Sequence, residues 1–138
     1  MPQAATSNRN SIAASDISPN RESFVRHLRA ENKAPSTVVT YSKAIDQLAA
    51  YLVASGMPTT VAALTREHVE SFLIALQAKG HRPATVAQRF RSLQQFFKWL
   101  KEEGEIRESP MANMSPPHVP EEPPPVLREE DLRRLIAA

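Results

Sequence analysis

Gln88, Arg91, Gln95 and Lys98 recur at intervals of three, four and three residues inside PATVAQRFRSLQQFFKWLK, Pro83 to Lys101, a stretch that contains no acid. At about 100° per residue this spacing sets the four side chains on one side of a helix. Val86, Phe90, Leu93, Phe97 and Leu100 fall on the other side. A second set, Ser36, Thr40, Lys43 and Gln47, repeats the arrangement in APSTVVTYSKAIDQLAAYLVASG. Hydroxyl, amide, ammonium and guanidinium groups donate to phosphate oxygens and read base edges, so both faces suit contact with nucleic acid. They suit the solvated outer surface of two core helices equally well. Thr37 and Thr85, near the two helix starts, either cap those helices or donate to a phosphate held at a helix N-terminus. With Arg82, they complete the candidate DNA contacts.

Other chemistry finds little material. There is no cysteine, which excludes disulfides, thiolate metal sites and a thiol nucleophile. His27, His68 and His81 are isolated from one another, so no metal and no cofactor is expected. The two tyrosines, Tyr41 and Tyr51, both fall in the second helical segment, and Tyr41 lies on its apolar stripe as a packing residue. Trp99 lies between the apolar and polar faces of its segment and reads as an inter-helix packing residue rather than a base-stacking platform. With no convergent acid, base and nucleophile, no catalytic residue is expected.

Helices are what must position these side chains. SPNRESFVRHLRAEN opens at Ser18 as N-cap with Pro19 behind it, and carries Phe24, Val25 and Leu28 as its stripe. The second segment alternates Val38, Tyr41, Ile45, Leu48 and Leu52 and stops at Gly56. A third starts from Thr65, buries Val69, Phe72, Leu73 and Leu76, and stops at Gly80; the fourth runs from about Ala84 to Glu103 and stops at Gly104. No segment alternates with period two, so the fold class is all-α, a four-helix bundle. A shift of 48 residues lays Ser23–Gly56 on Ser71–Gly104 without gaps, with 10 of 34 positions identical, which makes the bundle two pseudo-repeated helix hairpins.

The 138 residues allow one domain with extensions. Residues 1–17 hold few large apolar side chains and read as a disordered tail; 18–104 form the body. Residues 105–126, rich in proline, read as a semi-rigid linker, and 127–138 as the first helix of a further unit. Asn20 to Gly104 carries 12 Lys and Arg against 7 Asp and Glu, whereas Glu105 to Ala138 carries 4 against 7. A basic body with an acidic extension fits an anion-binding module. No run approaches a membrane span and no apolar leader opens the chain, so a soluble, cytoplasmic protein without a membrane partner is expected.

The succession APSTVVTYSKAIDQLAAYL, LTREHVESFLIAL, ATVAQRFRSLQQFFKWLKEEG, ESPM and PPPVLREEDLRRLI resembles the N-terminal core-binding, SAM-like domain of tyrosine recombinases, the phage integrase and Xer-type family. The resemblance covers Pro19 to Ala138 and is most specific at SLQQFFKWLKEEG followed by SP. It implies a clamp in which this domain covers one face of double-stranded DNA and a catalytic domain the other, with the second and fourth helices against the major groove. It also implies recombinase protomers as partners in a synaptic assembly of the full-length protein, and no small-molecule substrate. The family's catalytic set of arginines, lysine, histidines and nucleophilic tyrosine has no counterpart here. The histidines stand in HLRA, HVES, HRPA and HVPE, none of which makes His-x-x-Arg. No DNA cleavage is therefore expected of this chain. The competing reading is a helical adaptor for protein partners, which would favour exposed aromatics and methionines with charge depleted at the centre.

Overall fold

The computed structural model describes residues 15–120. Four α-helices order the described residues: α1 (Ile17–Ala30), α2 (Pro35–Ala54), α3 (Arg66–Ala78) and α4 (Pro83–Glu102), with a short 3₁₀ turn at Val61–Ala63. The only β-type pairing among the described residues is one antiparallel bridge between Asp16 and Thr60. The all-α class follows from the sequence periodicities for a simple reason: each stripe repeats at the three- and four-residue spacing of a helix, and each ends near a residue that cannot continue a helix cheaply.

The hairpin repeat survives in detail. Both α2 and α4 span 20 residues and begin with proline, whose missing N–H costs nothing at the first helical position. The turn into α2 closes through Lys33 N–H donating to the Leu28 carbonyl at 3.0 Å, and its repeat equivalent is His81 N–H to Leu76 at 3.2 Å. The exits of α2 and α4 close alike, Met57 N–H to Leu52 and Glu105 N–H to Leu100, both at 2.9 Å. These wide-loop bonds need a left-handed residue just past each helix. Gly80 supplies it at φ 90° and Asn32 supplies it at φ 58° in the other hairpin. A Cβ at Gly80 would meet nothing within 4 Å, so only backbone strain opposes substitution there. Gly80→Ala is expected to lower stability by about 1 to 2 kcal/mol, the cost of a left-handed backbone with a Cβ. Denaturant unfolding measures it; no change in stability would mean that the turn relaxes out of this conformation.

α4 is the central element. Its buried residues include Val86, Phe90, Leu93, Phe97 and Leu100, as its stripe requires, and also Ala87, Arg89, Ser92, Phe96 and Trp99. The buried arc is thus far wider than one stripe, because α1, α2 and α3 all pack on it. Phe24 of α1 reaches Phe96 and Trp99 with ring centroids 5.4 and 5.3 Å apart. Tyr41 stacks on Phe24 at 6.0 Å and Tyr51 packs on Phe72 at 5.8 Å, so both tyrosine rings belong to the packing of the bundle. Trp99, 9% exposed, also lies 5.6 Å from His27, the inter-helix position its place between the faces implied.

The edges of the body differ from the sequence reading. α1 begins at Ile17 with Asp16 as N-cap, not at Ser18, and Ile17 is 1% exposed. Ser15 to Ile17 are therefore part of the body rather than of the tail. Ile17 N–H donates to the Thr59 carbonyl at 2.9 Å and Val61 N–H to that of Ser15 at 3.0 Å. Buried Asn20 donates to the Asp16 carbonyl at 2.7 Å and to the Ser15 hydroxyl at 2.9 Å, and that hydroxyl donates to Glu105 at 3.1 Å. At the other end, Ile106 and Met111 are buried against the core, so the first residues of the expected linker also pack. Lys101 binds Glu108 at 2.9 Å, and this hydrogen bond and charge hold the Glu108 carboxyl below its usual range. Residues 1–14, the end of the proline-rich stretch and the expected helix at 127–138 lie outside the described residues.

Candidate nucleic-acid interface

Because three helices cover α4, its solvent side shrinks to a single strip. Gln88, Arg91, Gln95 and Lys98 line it, while their neighbours Ala87, Arg89, Phe90, Ser92, Leu93, Phe96, Phe97 and Trp99 are buried. The four residues read from the spacing are thus nearly the whole accessible surface of the helix middle. On α2, Ser36 and Lys43 lie on the matching face, with Thr37, Thr40 and Gln47 along its margin. The repeat that pairs the hairpins pairs Lys43 with Arg91 and Gln47 with Gln95. Val39 stands on this face too, 64% exposed, and escaped the sequence reading because a lone valine on a helix is ordinary.

Arg82 is the N-cap of α4 and is exposed; Thr85 lies half-buried in the first turn. Neither α2 nor α4 has a side-chain cap: their N-cap residues, Ala34 and Arg82, make no capping hydrogen bond. Capping is therefore not the work of Thr37 or Thr85. The uncapped N–H groups carry the positive end of each helix dipole, where an anion is favoured. By contrast, α3 has a reciprocal cap, in which the Thr65 N–H donates to His68 Nδ1 at 3.0 Å. His68, isolated in the sequence, is a capping residue.

The two faces are not free of acids. Asp46 lines the groove between α1 and α2 together with Lys43, Gln47, Arg21 and Arg29. Arg21 grips its carboxylate with Nε at 2.8 Å and Nη2 at 3.2 Å, which cancels the negative charge beside Lys43. Glu102 likewise ends the strip on α4, sharing a crevice with Gln95, Lys98, Tyr41 and Lys33.

One residue joins the faces. Arg89, only 5% exposed, donates from Nε to Gln47 Oε1 at 2.7 Å and from Nη1 to Gln88 Oε1 at 2.6 Å. No carboxylate pairs with it among the described residues. Burial lowers its pKa from the ordinary arginine value, without bringing a group of that kind near neutrality. Sequence reasoning passed over Arg89, although a signal was present: it is a cation on the buried arc, between Val86 and Leu93.

No group of three or more His, Asp or Glu side chains is placed to hold a metal among the described residues. No described helix is long and apolar enough to cross a membrane.

The family described as phage integrase, N-terminal SAM-like domain, matches residues 21–105. The tyrosine recombinase XerC of Salmonella typhi is 31% identical over 117 residues, covering 82% of this chain and 38% of that protein. XerC of Chlorobaculum parvum (strain DSM 263 / NCIMB 8327) is 30% identical over 121 residues, covering 83% and 36%. XerC of Neisseria meningitidis serogroup C (strain 053442) is 28% identical over 120 residues, covering 83% and 39%. The chain thus spans about two fifths of the length of the curated relatives it matches. No solved structure matches it.

Proposed function

The chain belongs to the phage integrase N-terminal SAM-like domain family, and from that premise we propose that its helical body is the DNA-binding module of a site-specific tyrosine recombinase, holding duplex DNA with α2 and α4. The strip Gln88, Arg91, Gln95 and Lys98 carries this reading, since it leaves α4 nothing but polar and basic side chains to offer a partner over three turns. Lys43 and Arg91 would pair with phosphates, the amides and hydroxyls would reach phosphates or base edges, and Val39 would meet a thymine methyl. Ser36, Thr37, Arg82 and Thr85 surround the two uncapped helix starts, which favour phosphate. In an assembled recombinase, other protomers on the same DNA are the natural partners.

An adaptor would present a different surface. The large apolar side chains exposed among the described residues are the aliphatics Val39, Val53, Ile74 and Val119, with no aromatic among them. A titration with duplex DNA at low salt, repeated over a salt series, tests the proposal. Affinity near the roughly 10⁻⁴ to 10⁻⁶ M of non-specific association, falling steeply with salt, is expected. Binding that ignores salt would point to a protein partner instead.

The proposed role is to bind, not to cut. Both tyrosines pack against core rings, and the cations that share a crevice with Tyr41, Lys33 and Lys98, stand there beside Glu31 and Glu102, whereas phosphodiester attack needs a cationic cluster around the phosphoryl oxygens. Incubation with nicked duplex is expected to leave no covalent adduct on denaturing gels. An adduct that vanishes in Tyr41→Phe or Tyr51→Phe would overturn this.

A further inference from the structure

A buried guanidinium normally pairs with a carboxylate, because an uncompensated charge in the interior is costly. Arg89 instead spends its donors on two amide oxygens, one from each helix of the proposed interface. An arginine has donors only, so the amide ends facing it must be the oxygens. In each glutamine the NH₂ group sits across the amide carbon from that oxygen and is turned away from Arg89. Gln88 is exposed and Gln47 half-buried, so both NH₂ groups open toward solvent at the seam of α2 and α4. No buried side-chain nitrogen or oxygen is left without a partner among the described residues, so Nη2 of Arg89, which has none, also touches solvent.

We propose that Arg89 is a positioning residue for DNA recognition: it fixes the amides of Gln47 and Gln88 so that both helices present N–H donors, and only donors, at the α2–α4 seam. This rests on the DNA-binding reading of α2 and α4. A free glutamine can turn either end outward and accept or donate; one held by Arg89 cannot. The seam then selects hydrogen-bond acceptors, which in the major groove are guanine O6 and N7, adenine N7 and thymine O4, and it rejects the amino groups of adenine and cytosine. The clamp also ties the two hairpins across 42 residues of sequence, so the spacing between the two reading helices depends on the same side chain. Tyr41 occupies the equivalent repeat position on α2, so the device exists once in the bundle.

The test selects duplexes from a randomised library with the wild-type chain, then compares binding of the enriched duplex with a scrambled one. Arg89→Lys retains the charge but cannot span both oxygens, and it is expected to cut the preference for the enriched duplex by about tenfold, within the range one good bidentate base contact supplies. Gln47→Ala with Gln88→Ala should cut it as far, and adding Arg89→Lys to that pair should cost nothing more, because Arg89 acts through the glutamines. A further drop in the triple variant would make Arg89 a direct DNA contact and overturn the proposal. So would an unchanged preference in Arg89→Lys. A wild-type chain with no affinity for any duplex would sink the DNA reading itself, and this proposal with it. If Arg89→Lys fails to fold, the wild-type chain still decides: its Arg89 Nε–H must exchange slowly with solvent, and the Gln47 and Gln88 NH₂ signals must move on titration with the enriched duplex. A fast-exchanging Nε–H or motionless amides would overturn the clamp without any substitution.

Discussion

A chain carrying Lys43→Ala, Arg91→Ala and Lys98→Ala together is expected to bind duplex DNA about a thousandfold more weakly at low salt, at roughly tenfold for each charge-assisted hydrogen bond removed. The three residues are exposed and point away from the core, so their effects should add and the fold should be untouched. The plot of log affinity against log salt should flatten by about 0.9 for each phosphate that is no longer neutralised, or roughly 2.7 in all. Unfolding by denaturant should shift within about 0.5 kcal/mol for each site. The pairing of these readouts matters: a merely solvated basic face predicts unchanged affinity and slope together with unchanged stability. That outcome would return α2 and α4 to ordinary surface and bring the adaptor reading forward.

Phe97→Ala should do the opposite, lowering the free energy of unfolding by about 3 to 5 kcal/mol. Its side chain is 0% exposed and lies 5.5 Å from the Phe96 ring on a helix that every other helix contacts. α4 cannot collapse onto the hole from one side without pulling away from another, so little of the cavity can be recovered. Against the roughly 5 to 15 kcal/mol that holds a domain together, that is a large fraction. Thermal or denaturant unfolding measures it directly. DNA binding should fall in proportion to the unfolded population and recover on cooling toward the temperature of maximum stability. A destabilisation below about 1.5 kcal/mol, the range of a tolerated volume-conserving swap, would mean that the core around α4 is loosely packed.

The sequence by itself determined the helices, their order and the outward strip, because each depends on residues a few positions apart. Pro35 and Pro83 start helices, Gly56, Gly80 and Gly104 stop them, and the spacing of Gln88, Arg91, Gln95 and Lys98 follows from the helical period alone. Asn32 was harder to read as a stop than Gly80, its repeat equivalent, because asparagine takes the left-handed conformation only as one choice among several. What the tertiary structure decided are the pairings between distant residues. Ser15 to Ile17 joined the body because Thr59 and Glu105 offered partners far along the chain. Asp46 ceased to oppose Lys43 because Arg21 lies across the groove. Arg89 changed most: in the sequence it is one more basic residue in a basic helix, and only the approach of α2 buries it and brings Gln47 within 2.7 Å. Local periodicity shows which way a side chain points along its own helix, but the partner that gives a buried charge its meaning comes from another one, and no spacing in the sequence records that distance.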